Sequence, residues 1–164
     1  MNDGVEIVRL RPEEWRPYRE IRLEALLTEP TAFGATYESQ VQNSDEHWQD
    51  RLRVVGNGRQ WLLFARKDGE LLGMIGAFVA DEPAVAKVIA VYVRERARGQ
   101  GIGERLVSAI LEAVCENPDV TTARLDVTGT NVKAIRLYER AGFEHIGASQ
   151  QERCELVMER PVSR

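Results

Sequence analysis

Between residues 88 and 127 the chain passes through an apolar strand, a glycine-rich loop, an amphipathic helix and a second strand, an order that few architectures accommodate. Val88-Ile89-Ala90-Val91-Tyr92-Val93 is almost continuously apolar, the pattern of a central strand covered on both faces. Ile102, Leu106, Ile110 and Val114 recur at helical spacing, and the helix they define ends at Asn117-Pro118-Asp119. Arg124-Leu125-Asp126-Val127 then supplies another strand, so the unit is a crossover, which is normally right-handed.

The loop inside this unit, Arg98-Gly99-Gln100-Gly101-Ile102-Gly103, gathers backbone N–H groups at the positive end of a helix. Glycines let a phosphate approach the backbone, and Arg98 adds a fixed positive charge. A Walker loop would need Lys and Ser/Thr after its last glycine, whereas Glu104-Arg105-Leu106 follows Gly103, which disfavours ATP and GTP. A dinucleotide fingerprint counted from Gly99 would need Gly or Ala at position 104, and it would open near the start of a domain.

On the N-terminal side, Glu6 to Leu10 alternates as a strand, and Trp15, Tyr18, Ile21, Ala25 and Leu26 mark a helix from Pro12 to about Thr28. A second helix starts after Ser44 or Asp45 and stops at Gly56-Asn57-Gly58. The apolar runs Gln60 to Lys67 and Glu70 to Val79 flank Asp68-Gly69, a strong hairpin signal, and place Trp61, Phe64 and Phe78 in the core. A last helix spans about Asn131 to Ala141 and is closed by Gly142, with strands expected over Phe143 to Ala148 and Glu152 to Glu159.

A chain of 164 residues is in the usual range for one domain, spanning residues 1–164. No apolar run approaches the roughly 20 residues of a membrane span, and the acidic N-terminal stretch lacks the basic start of an export signal, so the expected compartment is cytoplasmic. The formal charge of −4 lacks the basic excess of a nucleic-acid binder. Cys115 and Cys154 read as unlinked thiols, and His47 and His145 have no metal-ligand spacing, so no metal is expected.

Arg98-x-x-Gly101-x-Gly103 after Val91-Tyr92-Val93 resembles the acetyl-CoA signature of the GNAT superfamily of N-acetyltransferases. Asn131-Val132-Lys133-Ala134-Ile135-Arg136-Leu137-Tyr138-Glu139-Arg140-Ala141-Gly142-Phe143 resembles that superfamily's N-x-x-A-x-x-L-Y-x-x-x-G-F segment. Upstream, Ile21 to Leu26 and Ala32 to Glu38 are similar to the N-terminal part of a bacterial branch, although the stretch after Gly147 is shorter than in that branch. The resemblance implies an α/β fold with a mixed, mostly antiparallel sheet of six or seven strands, helices on both faces, and a split between the strands at Val88 and Arg124 where acetyl-CoA enters. It further implies that the backbone of Val91, Tyr92 and Val93 pairs with the pantetheine arm. Arg98, Gly99, Gln100, Gly101, Ile102, Gly103 and Glu104 surround the pyrophosphate, and Asn131 touches the arm or caps the last helix.

The implied reaction is direct attack of a primary amine on the thioester, through a tetrahedral intermediate. Tyr138 matches the motif's tyrosine, a phenol protonated at neutral pH that can donate to the departing sulfur. The amine must also lose a proton. Where the superfamily can carry a Glu before the loop this chain has Lys87, whereas Asp126, five residues before Asn131, matches another member type; it is either a base or a strand residue paired with Arg or Lys. Tyr37 and Glu38 line the acceptor side by the same resemblance. A non-catalytic acyl-CoA binding or sensing domain is the alternative. The acceptor stays open, and a homodimer through the C-terminal strands is common in such folds.

Overall fold

In the computed structural model, which describes residues 4–30, 35–148 and 156–162, the hairpin predicted at Asp68-Gly69 is present as two neighbouring strands of the sheet. Strands β2 (Gln60–Lys67) and β3 (Glu70–Val79) turn through Asp68 and Gly69, at φ 51° and 78°. Positive φ at both positions is what a two-residue hairpin with the right strand twist needs. Side chains alternate across β2: Trp61, Leu63 and Ala65 enter one apolar cluster, Leu62 and Phe64 the other.

Among the described residues seven strands form one sheet in the order β1-β2-β3-β4-β5-β7-β6, from β1 (Glu6–Val8), β4 (Val85–Val93), β5 (Thr122–Val127), β6 (Glu144–Gly147) and β7 (Leu156–Pro161) in addition to the hairpin. Every pairing is antiparallel except β4 with β5. That is the mixed, mostly antiparallel sheet expected. The part of the last predicted strand before Leu156 lies outside the described residues.

Helices cover both faces. On one side α1 (Trp15–Thr28) and α3 (Asp45–Val54) bury Tyr18, Ile21, Leu26 and Trp48 against Phe64 and Met74. The start of α3 is set by Ser44, whose Oγ accepts from the His47 N–H at 3.2 Å, satisfying a donor the helix leaves open. On the other side α4 (Ile102–Val114) and α5 (Val132–Arg140) bring Ile102, Leu106, Ile110 and Tyr138 onto Leu63, Ile75 and Val88.

Three local outcomes differ from expectation. Pro12–Glu14 forms a separate tight turn before α1, and β1 ends at Val8, leaving Leu10 to bury itself in the α1/α3 cluster. A short helix α2 (Tyr37–Val41), capped by Thr36 and Ser39, has too few apolar residues to leave a periodic signal. Phe78 is half-buried rather than core, because it faces two cavities near the end of β3. Among the described residues no helix is long and apolar enough to cross a membrane. Cys115 sits at the end of α4 with Sγ donating to the Leu111 carbonyl, and Cys154 lies outside the described residues.

Candidate active site

In β4 the side chains change faces part-way. Ala86 and Val88 belong to the α4-side cluster, but two residues later Ala90 packs on the α1 side with Tyr92, and Val91 and Val93 take over the α4 side. A parity change needs one extra residue. The register supplies it, moving from Gly76↔Ile89 to Met74↔Tyr92, so that Ala90 and Val91 oppose Ile75 alone. Ala90 absorbs the kink at φ 57°, a conformation uncommon for a residue with a Cβ.

The parallel ladder to β5 ends just before this bulge, at Lys87↔Arg124. Beyond it the two strands part, and a cleft of about 860 Å³ opens between them. The apolar run at residues 88–93 is therefore not covered on both faces as expected: Ile89 is 39% exposed, and Val91 and Val93 are partly so. Its apolar character furnishes a cleft wall.

At one end of the cleft lies the glycine loop. Gly99 and Gly101 both adopt φ 78°, and a Cβ on either would meet nothing within 4 Å, so conformation rather than crowding selects glycine there. Consecutive turns of this kind aim backbone N–H groups at one point, ahead of α4, whose N-cap is Gly101. Gly103 differs, since a Cβ there would press on Leu137 of α5 at 3.3 Å. Arg98 donates from Nε to the Val93 carbonyl at 2.9 Å and stands 3.6 Å from Glu29. Glu104 pairs with Arg140 at 3.0 Å across the helices, leaving its backbone rather than its carboxylate for an anion. Gln100 is the one residue of the expected acetyl-CoA-binding set that does not line the cleft. The side chain of Tyr92 points to the α1 side and donates to Glu24 at 2.7 Å, so only its backbone belongs to the cleft wall.

Deeper in, Tyr138 is 7% exposed and packs edge-on against Phe143 at 6.0 Å. Burial first, and the nearby Glu29 second, push its phenol pKa well up. It stays protonated at any ordinary pH. Asn131 caps α5, its Oδ1 accepting from the Ala134 N–H at 3.2 Å, and also lines the cleft. Asp126 and Lys87 meet at 2.6 Å with 10% and 21% of their side chains exposed, and both line it as well. Thus the pairing foreseen for Asp126 is present, and its partner is the lysine in the position where a carboxylate was sought.

The sequence reading missed Glu29 and Arg22. Glu29 follows α1, lines the cleft, and has its pKa raised mainly by burial, with Arg98 opposing. Nothing local in Thr28-Glu29-Pro30 marks it, because its neighbours are remote in sequence. Tyr37 and Glu38 line neither cavity; Tyr37 packs on the α1/α3 core and Glu38 is exposed, whereas Ala35 reaches the cleft. Among the described residues no three His, Cys, Asp or Glu side chains gather in a metal-binding cluster.

The profile of the Acetyltransferase (GNAT) family matches residues 8–143. The chain belongs to this family. It is 32% identical over 94 residues to an aminoglycoside N(6')-acetyltransferase type 1 of Klebsiella pneumoniae, covering 51% of this chain and 47% of that protein. It is 36% identical over 83 residues to the N-acetylaspartate synthetase of Homo sapiens, covering 50% and 27%. The chain thus spans about half or less of the length of these GNAT relatives. Its fold matches the PaiA N-acetyltransferase of Thermoplasma acidophilum, solved with coenzyme A, at a TM-score of 0.76 and 19% identity over 96% of this chain and 98% of that one.

Proposed function

We propose that the chain transfers the acetyl group of acetyl-CoA to a primary amine of a small molecule or peptide by direct attack. One observation carries this reading: a single cleft joins a left-handed glycine loop at a helix N-terminus to a buried phenol and an ion-paired carboxylate. The first suits a pyrophosphate, and the others suit the two proton transfers that amide formation requires. Solved GNAT structures with bound coenzyme A support the same donor.

In this mechanism the loop from Arg98 to Glu104 holds the pyrophosphate, and the parted edge of Val91 to Val93 pairs with the pantetheine amides. Asn131 contacts that arm while capping α5. The amine nitrogen forms a bond to the thioester carbon, and backbone N–H groups near the bulge face the oxygen as it gains charge. The C–S bond then breaks, and Tyr138 gives its proton to the leaving sulfur. Asp126, directly or through water, accepts the proton the amine must lose; Lys87 holds it in place. We assign the reaction to the cytoplasm, since its acyl donor is an intracellular thioester, and cell fractionation reads this. The edge strand β6, with Ile146 exposed, is where a second copy would pair, which sedimentation velocity reads.

The test is calorimetric titration with acetyl-CoA combined with thiol release across a panel of amines. Binding accompanied by amine-dependent thiol release is expected. Binding without release for any amine would favour an acyl-CoA sensing domain, and no binding would remove the reading altogether.

A further inference from the structure

A second cavity, about 340 Å³, opens on the α1/α3 side of the β4 bulge. Arg22 of α1, Arg51 of α3 and Arg59 before β2 line it, together with apolar surface from Val55, Leu62 and Met74. It meets the acetyl-CoA cleft at Arg22, Phe78, Ile89 and Ala90, which line both. A molecule seated in it therefore has one end at the bulge, where the reaction is placed.

The charge of this cavity is one-sided. Among the described residues three arginines and no Asp or Glu line it, in a chain whose formal net charge is −4. Arg22 donates from Nε to Gln40 at 3.1 Å, and its pKa is held below the usual guanidinium value, chiefly by burial and also by Arg51. Among the described residues, Arg51 and Arg59 make no ion pair, although Arg53, between them in sequence, pairs with Asp50. Like charges facing a partly desolvated space repel, and the repulsion is relieved by an anion that two planar guanidinium groups can grip.

We propose that this cavity is the acceptor subsite and that the acceptor is a small amine carrying an oxyacid group, a carboxylate or a phosphate, held by Arg22 and Arg51. The proposal rests on the acetyl-transfer reading and names its substrate class. The volume is at the lower end of the ~300–1,000 Å³ typical of small-molecule sites, and the Val55, Leu62 and Met74 surface receives an apolar side chain beside the anion. A polycationic acceptor, the class named for the Klebsiella relative, would bring further positive charge against three arginines.

The experiment uses protein loaded with free CoA, which cannot react. Common L-amino acids are titrated against their amides, O-phosphoethanolamine against ethanolamine, and kanamycin alone. At least one anionic amine is expected to bind about tenfold or more tightly than its neutral counterpart. Arg51→Gln should abolish that difference while CoA affinity and melting temperature hold; the amino-acid and phosphate arms show which oxyacid is read. Tighter binding of kanamycin or of the neutral amines, or no difference across the panel, overturns the proposal. So does an Arg51→Gln variant that weakens acid and amide alike, or that loses CoA affinity, which would assign the arginines to the donor. Thiol release with acetyl-CoA and the same panel separates the two readings. Anion preference without turnover fails the transferase assignment, whereas turnover confined to polycations fails this subsite and leaves the transferase standing.

Discussion

The phenol of Tyr138 keeps its proton because the ring is buried and Glu29 lies nearby, and the same burial lets one substitution separate chemistry from packing. Tyr138→Phe retains the contact with Phe143, so turnover at saturating substrates should fall about 10²–10⁴-fold with acetyl-CoA affinity little changed. Near-full activity would return Tyr138 to structure alone. The raised pKa also predicts a pH effect. Above about pH 10 an unfolded tyrosine ionises while the folded one does not, so the unfolded chain binds fewer protons and stability falls as pH rises further toward the folded pKa. Urea unfolding at pH 9 and 11 should show a smaller alkaline loss for Tyr138→Phe than for the parent, with a remainder from Tyr92, whose pKa burial and Glu24 also raise. Asp126 is harder to isolate, because Asp126→Asn leaves Lys87 uncompensated in a mostly enclosed position. The expected cost lies between the ~0–1 kcal/mol of an exposed pair and the ~3–5 kcal/mol of a fully buried one. Adding Lys87→Met should recover stability without recovering turnover, and the loss of turnover should shrink at high pH, where free amine is abundant. Tyr138 and Asp126 could be named from the sequence because each stands at a fixed offset from Asn131. Glu29 could not, since what matters about it is a spatial neighbourhood that local pattern does not encode.

For the elements, regular periodicity was readable and departures from it were not. The hairpin β2–β3 begins and ends where the alternation and Asp68-Gly69 place it, and α3 begins at its Ser44 cap. The bulge in β4 is not legible in the sequence because Ala90 is an ordinary strand residue by type; only the partner strand's register reveals the extra residue. For the same reason the apolar pattern of residues 88–93 predicts burial on both faces for a strand that walls a cleft. Gly73 in β3 depends on this arrangement, since a Cβ there would stand 2.9 Å from the Tyr92 carbonyl and 3.1 Å from Leu106. Backbone cannot move aside as a side chain can, so Gly73→Ala should cost about 1–3 kcal/mol in urea unfolding and lower turnover by displacing β4. In the loop, Gly101 is selected by φ, which Asn tolerates better than other residues with a Cβ. Gly101→Asn and Gly101→Glu should both fold, with acetyl-CoA affinity falling far more for Glu, whose charge opposes the pyrophosphate. Equal affinity for parent and Glu variant in calorimetry would move the phosphate elsewhere.

Across the whole molecule the sheet is nearly two sheets. β1 to β4 form one block and β5, β7 and β6 another, and among the described residues their strands pair only over Val85–Lys87 and Thr122–Arg124. Helix α4 ties the first block together, with Leu106 and Ile110 in its core and Arg105 donating to the Val5 carbonyl at 2.6 Å. On the second side, Arg160 of β7 donates to the Ala141 carbonyl after α5 at 2.6 Å. A short ladder of parallel pairing is a weak seam, and local opening follows such seams before the core gives way. The cleft has the loop and β4 on one wall and Asp126, Asn131 and Tyr138 on the other, so a ligand filling it replaces the missing ladder by touching both blocks. Binding at 100 times Kd adds about 2.7 kcal/mol, which for a chain of this size raises Tm by about 5–11 °C. The location of the gain is the sharper measurement. If acetyl-CoA bridges the blocks, amide exchange should slow in β5 and at the start of α5 as well as in the loop. Protection confined to residues 98–104, with β5 exchanging as before, would mean that the donor sits on the loop without entering the split between β4 and β5.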